Sequence, residues 1–329
     1  QELQEMASAL EEVVDDYTTK IEASEDVSER KELRSKRKTP KQMVKLVHDW
    51  ITRKQVYEKD LDILRERNSY SKTDHDATFM RMKDDYMQNG QLKAGYNVQI
   101  ATENQYTLAY DIYHNPTDTK TLSPFLDTIE KDYFALPEYI VADAGYGSEA
   151  NYEDVMITRE RTPLITYGMY RKEQKKKYKQ DPFKTSNWTY DEETDSYTCP
   201  NEKKLTFQYH STRRDTTGFV RQFKVYQCED CTNCPFRQSC KKAAEGTNRK
   251  VAINLKWEQQ KVYVQQKLSE PETAAIYRRR KTDVEPVFGF LKANLGFTRF
   301  SVRGKMKVKN EIGLALMAAN LRKYTKRGA

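Results

Sequence analysis

Leu3, Met6, Leu10, Val13 and Tyr17 recur three or four positions apart, the spacing of one face of an α-helix. A polar stretch, SEDVSERKELRSKRK (24–38), reads as a connection, and Thr39-Pro40 as an N-cap followed by proline at the first helical position. Met43, Val47, Trp50 and Ile51 continue an apolar stripe, so residues 1–66 are expected to form a charged, antiparallel helical hairpin. Residues 67–93 lack clear periodicity and read as a long loop. From Ala94 the pattern changes to alternation. GYNVQIAT and QYTLAYDIY predict two strands, with Glu103-Asn104 as the turn between them. A helix is expected near 119–133, a short apolar strand in EYIVADAG (138–145), a helix from Ser148 and a strand in PLITY (163–167).

The alternation of strands and helices then stops. Residues 168–256 hold a basic run (YRKEQKKKYK), a Trp-Thr-Tyr segment and the cysteines, the pattern of an inserted module. Helical character returns from about 257 to Lys292, LGFTRFSVRG forms a basic connection, and a last helix is expected at about 305–325. In that helix Val308, Ile312, Ala315, Leu316 and Ala319 share one face. The reading is an α/β chain in four parts: the hairpin (1–66), the first part of a core (67–167), the insertion (168–256) and a C-terminal helical part of the core (257–329).

Composition narrows the partners. The 329 residues are 37% hydrophobic and 32% charged, with a net charge of +8, which favours an anionic partner without bearing on the fold. Twenty-two tyrosines suit nucleic acid but serve equally as half-buried packing residues. No apolar run approaches the roughly 18 residues of a membrane span, and no secretory signal opens the sequence, so a cytoplasmic location is expected. The first residues, QELQEMASALEE, read as the interior of a longer protein.

Three constellations carry possible chemistry. VADAGYGS places Asp143 at the carboxyl end of a buried strand, where ligands bind in open α/β sheets, although an Asp there also serves as a helix cap. Gly145 and Gly147 allow close approach of backbone. In YRRRKTDVEPVFGFLK, a continuous helix would put Tyr277, Lys281, Glu285 and Lys292 within roughly 80° of arc. That is either a solvated Glu–Lys ladder or a carboxylate among cations that serve a bound polyanion. Pro286 requires a bend near 282–286 or a new helix capped by Asp283. Third, Cys199, Cys228, Cys231, Cys234 and Cys240 have the close spacing of a structural zinc site, with four of the five as ligands; reduced thiols and an iron–sulfur cluster are the alternatives. The four histidines are scattered and read as surface or packing residues.

Taken in order, NSYSKTDHDATFMRMKDD, GQLKAGYNVQIATENQ, NPTDTKTLSPFL, VADAGYGSEANY, DPFKTSNWTYDEETDSYTCP, CEDCTNCPFRQSC and VEPVFGFLKANLGFTRFSVRG resemble bacterial insertion-sequence transposases of the DDE class. The similar branch carries a cysteine-rich insertion between its second and third acidic residues. The resemblance implies an RNase H-like mixed sheet flanked by helices, interrupted by a zinc-ribbon-like insertion. It implies Asp143 and Glu285 as the second and third catalytic acids, holding Mg²⁺ or Mn²⁺. It implies Arg280, Lys281, Lys292, Arg299 and Arg303 on DNA phosphates, terminal-repeat and target DNA as partners, and a homo-oligomer on DNA. The first acid of the branch sits in an Asp-Gly-Thr strand, and no such tripeptide occurs here, so the sequence is expected to start downstream of it and to lack the first core strand. Asp118 matches a recurrent Asp that opens a helix and is expected to cap it. The alternative is a non-catalytic, zinc-stapled DNA-binding remnant.

Overall fold

The computed structural model describes residues 2–82, 89–215, 217–240, 244 and 246–327. The chain divides into two units, residues 1–79 and 80–329.

The first unit is built on α1 (Glu2–Ala23) and α2 (Val27–Leu64). The connection is only three residues long, not the fifteen expected, because most of 24–38 is helix. Its residues are good helix formers in polar guise. Asp26 caps the new helix by accepting from the Ser28 amide at 2.9 Å, and Lys36 pairs with Glu32 at 2.6 Å one turn apart. Pro40 therefore lies inside α2 rather than at its start. Arg37 reaches Thr18 at 3.0 Å and His48 reaches Glu11 at 2.7 Å, so the two helices run antiparallel. Ala7, Ile21 and Val47 are buried between them. A short strand, β1 (Thr78–Arg81), lies at the division between units.

The second unit opens with β2 (Leu92–Gly95), β3 (Asn97–Glu103) and β4 (Tyr106–Tyr113). β3 and β4 pair antiparallel around a turn at Asn104-Gln105, both with positive φ, one residue later than expected. Next come α3 (Leu122–Asp132), β5 (Tyr139–Ala142), α4 (Glu149–Glu153) and β6 (Thr162–Ile165). β5 and β6 pair in parallel, with Ala142 opposite Ile165. Among the described residues the β3–β4 and β5–β6 pairs are separate two-stranded sheets, so the architecture is mixed α/β but not one continuous sheet.

The insertion is a sheet in its own right. After two single-turn helices, α5 (Tyr170–Glu173) and α6 (Lys176–Lys179), come β7 (Thr189–Asp191), β8 (Ser196–Thr198), β9 (Lys204–Arg214), β10 (Val220–Cys228), α7 (Arg237–Cys240) and β11 (Lys250–Ile253). The strands form an antiparallel sheet in the order β11-β10-β9-β8-β7, over a cluster of Trp188, Leu205, Tyr226, Cys228 and Val251.

Four helices close the unit: α8 (Leu255–Ser269), α9 (Pro271–Asp283), α10 (Glu285–Gly289) and α11 (Lys305–Arg327). Val264 and Leu268 of α8 join Leu126, Ile129, Ile140, Tyr152 and Leu164 in one core. Val308, Ile312 and Leu316 of α11 join Ile112, Val287 and Leu291 in a second. Of the expected C-terminal stripe these three are buried, while Ala315 and Ala319 pack at its margin. The helical run of 277–292 is broken at Val284, which is the N-cap of α10, and Asp283 ends α9 instead of capping its successor. Pro286 sits in the first turn of α10, where its missing N–H costs nothing. A single helical face holding Tyr277, Lys281, Glu285 and Lys292 therefore does not exist.

Candidate active site

The apolar run Tyr139–Ala142 commits β5 to the core, which delivers Asp143 just past its carboxyl end. Thr166 lies just past the end of the neighbouring β6, so the two residues emerge side by side. The turn that follows is compact because of its glycines. A Cβ at Gly147 would fall 2.7 Å from the Tyr167 Cα and closer still to the Thr166 carbonyl oxygen. Glycine is needed here for space: the backbones of the 143–147 turn and of the β6 exit touch. Ser148 then caps α4 by accepting from the Asn151 amide at 3.2 Å.

Asp143, Ala144, Gly145, Thr166, Tyr167, Gly168, Tyr170, Arg171, Tyr277 and Arg280 line a cavity of about 290 Å³. α9 is fixed at its wall by the Tyr277 and Thr166 hydroxyls, 3.0 Å apart, and the Arg280 guanidinium lies 5.7 Å from the centre of the Tyr277 ring. Arg280 Nε is buried without a hydrogen-bond partner. Tyr167 donates to Glu173 at 2.6 Å and accepts from Gln265 of α8, so this wall is held from behind. Burial, reinforced by the Glu173 hydrogen bond, pushes the Tyr167 hydroxyl well above the ordinary phenol range, so it stays protonated. Among the described residues that line the cavity Asp143 is the one carboxylate, and Arg171 and Arg280 contribute guanidinium groups.

The remaining sequence candidates fall in different places. Arg280 shares the Asp143 cavity. Glu285, the first residue of α10, is exposed and does not line it. Lys292 and Arg299 line a second, smaller cavity of about 150 Å³ walled by Val98, Phe288, Leu291, Phe297, Phe300 and Ile312. Lys281 and Arg303 are exposed and line neither cavity. Sequence reasoning missed Arg171 and Tyr170, whose basic run reads as part of the inserted module. It also mistook Asp118, whose side chain makes no helix-capping hydrogen bond. Asp118 instead accepts from Asn97 Nδ2 at 2.8 Å and Gln99 Nε2 at 3.2 Å. Its other oxygen and the nearest oxygen of Asp143 lie 3.0 and 2.9 Å from the point where Gly145 would carry a Cβ. The signal was present in β3, where Gln99 is a polar residue buried to 2% exposure within an otherwise strand-like run.

Carboxylate oxygens are the donor type that Mg²⁺ and Mn²⁺ prefer, and two such oxygens, from Asp118 and Asp143, approach the position that a Gly145 side chain would take. Among the described residues, however, no group of three or more His, Cys, Asp or Glu side chains is arranged to hold a metal ion. This gives the zinc expectation no support. Cys228 is buried in the apolar cluster of the insertion, where burial and then its contact with Cys231 push its thiol up to about 12. Arg249 donates its amide N–H to Cys231 Sγ at 3.3 Å and its guanidinium to Cys240 Sγ at 3.2 Å. No described helix is long and apolar enough to cross a membrane.

Residues 198–325 match the family described as "Transposase DDE domain". The match takes in Glu285 and the five cysteines but ends short of Asp143 and covers less than half of the chain. Over 80 residues the chain is 41% identical to the type II restriction enzyme CeqI of Rhodococcus hoagii, a stretch that spans 24% of this chain and 26% of that protein. The chain thus covers about a quarter of the curated relative it matches. No solved structure matches. The C-terminal part of the chain is accordingly similar to a DDE-type transposase domain.

Proposed function

We propose that this chain is the catalytic region of a DDE transposase, which cleaves the DNA strands at the ends of an insertion sequence and joins them to a target. The observation that carries the reading is the meeting of Asp143 with Arg280 and Arg171 on one cavity, in a chain whose C-terminal part is similar to a transposase DDE domain. A carboxylate alone would repel a phosphodiester. Two guanidinium groups beside it supply the planar, multi-donor contacts that phosphate oxygens accept. Tyr277 and Tyr170, which line the same cavity, are assigned to the sugar–base side of a strand held there.

From the family resemblance, Asp143 and Glu285 are assigned as the acids that would hold a divalent ion, which would supply activation of the attacking water or 3′-hydroxyl, although Glu285 stands outside the Asp143 cavity. The protein's own part is to position. Arg280 is held over Tyr277, Tyr277 is held by Thr166, and Thr166 is fixed at the end of the strand beside Asp143. Lys292 and Arg299, on their own cavity, are assigned to DNA backbone farther from the scissile bond, with Lys281 and Arg303. The DNA partner comprises the element's terminal repeats and the target, and the working form is an oligomer on that DNA.

The test is strand cleavage and joining by the full-length protein, with Mg²⁺, on a plasmid that carries the gene between its own flanking repeats. Asp143→Ala and Glu285→Ala are each expected to reduce both steps to background while leaving DNA binding intact. Normal cleavage by either variant overturns the reading.

A further inference from the structure

We propose that Asp118 is a positioning residue for Asp143, acting through Gln99 and Tyr146. The inference rests on the catalytic reading of Asp143 given above. Asp118 lies in a short 3₁₀ turn (Asp118–Lys120) between β4 and α3, away from Asp143 in sequence. One of its oxygens gathers two amides from β3, Asn97 Nδ2 at 2.8 Å and Gln99 Nε2 at 3.2 Å. Gln99 Nε2 also donates to Asn97 Oδ1 at 2.7 Å, and Asn97 donates to the Asn115 carbonyl at 3.1 Å. With its amide nitrogens committed in this way, Gln99 is left to accept through Oε1, and the hydroxyl of Tyr146 donates to it.

Tyr146 belongs to the turn that carries Asp143. Its amide donates to the Asp143 carbonyl at 3.2 Å, while the Gly145 amide donates to Asp143 Oδ1 at 2.8 Å. The Asp143 carboxylate is thus fixed to a turn whose next side chain is tethered, through Gln99, to Asp118. Burial, then the charges of Asp118 and Asp143, hold the Tyr146 hydroxyl far above the ordinary phenol range, so it stays a donor. The amide orientation of Gln99 is what Asp118 decides. Without an acceptor at 118 the Gln99 amide keeps only Asn97 Oδ1, and Asn97 has itself lost its 2.8 Å bond to Asp118, so the Tyr146 tether is less firmly directed. A reacting group displaced by about 1 Å can cost about a hundredfold in rate.

The experiment pairs hydrogen exchange with the cleavage assay on the full-length protein. Asp118→Ala is expected to speed exchange of the amides of 143–148 and to lower cleavage about a hundredfold. Asp118→Asn keeps a carbonyl acceptor for both amides and is expected to restore slow exchange and most of the rate. Gln99→Met, which keeps the side-chain length but cannot bond Tyr146, should reproduce the alanine phenotype if Asp118→Ala fails to fold. Unchanged exchange in both Asp118→Ala and Gln99→Met overturns the proposal. So does an Asp118→Asn variant as impaired as Asp118→Ala, since the charge and not the hydrogen bonds would then be what matters. If Asp143→Asn cleaves normally the catalytic reading falls by itself, and the exchange of 143–148 still decides whether Asp118 fixes the turn.

Discussion

Gly313 of α11 lies against Tyr110 of β4 so closely that a Cβ on the glycine would fall 2.7 Å from the ring carbon bearing the hydroxyl. The first prediction follows from this contact. In an exposed helix, Gly→Ala gains about 1 kcal/mol from propensity alone. Here the methyl must displace a half-buried tyrosine beside the Ile112–Ile312 core, and overpacking costs about 1–3 kcal/mol. Gly313→Ala is therefore expected to lower the denaturation midpoint, against the helix-propensity trend. The double variant Gly313→Ala, Tyr110→Ala should recover part of the loss.

Lys309, one turn before Gly313, joins α11 to β4 by a different force. Its ammonium lies 2.8 Å from Asp111, whose side chain is only 12% exposed. Burial alone would raise the Asp111 carboxyl, but the Lys309 hydrogen bond and charge overcome it and hold it below the usual range. Removing one partner of a fully buried pair costs roughly 3–5 kcal/mol; with Lys309 at 29% exposure, about 2 kcal/mol is the expected loss for Lys309→Met. Replacing the pair together, by Asp111→Asn with Lys309→Met, should cost less than the single change, because no uncompensated charge is left inside. Urea denaturation of the four proteins in the cycle measures it.

Elements with one clear period were legible in the sequence, and so was the position of Asp143. The apolar run of β5 could only end where Asp143 stands, and the stripe of Val308, Ile312 and Leu316 did become core. What the sequence hid was polar and long-range. Polar helix formers in 24–38 looked like a linker because periodicity measures burial, and that segment of α2 buries almost nothing. The insertion sheet was hidden because β9 alternates weakly, with mostly exposed side chains along its outer half. Glu285 and its cations could be placed on one helix only if Pro286 were tolerated mid-helix, and the chain breaks at Val284 instead. Asp118 looked like a cap because local spacing cannot reveal that Asn97 and Gln99 arrive from another strand.

The turn glycine at 147 yields a prediction on the site. Its missing Cβ lets the Asp143 turn rest on the Thr166–Tyr167 backbone, which cannot move aside as a side chain can. Gly147→Ala is expected to push the turn off the β6 exit, removing the shared wall between Asp143 and the Tyr277–Thr166 contact. The expected outcome is loss of cleavage with most of the DNA affinity kept, since Arg299 and Lys292 line a different cavity, and Lys281 and Arg303 line neither. A variant that cleaves normally would show that the close approach is incidental to the site.

The last prediction concerns the insertion, where Asp195 sits at a positive φ in the turn between β7 and β8. Its Oδ1 accepts from the hydroxyls of Tyr190 and Tyr226, both at 2.7 Å, and Lys224 donates to Oδ2 at 2.9 Å. These bonds, the two tyrosines first, hold the Asp195 carboxyl down to about 2. A carboxylate whose folded value is depressed stabilises the fold above its unfolded value of about 3.9 and loses that contribution as pH falls through the folded one. The insertion sheet should therefore lose stability progressively between about pH 4 and pH 2. Asp195→Asn suits the positive φ and keeps an acceptor for the two tyrosines but removes the ionisation and the oxygen that Lys224 bonds, so it should be less stable than the parent at neutral pH and show a flatter acid limb. Hydrogen exchange of β8 and β10 as a function of pH reads this unit directly, and parallel acid limbs in the two proteins would assign the acid sensitivity to other carboxylates.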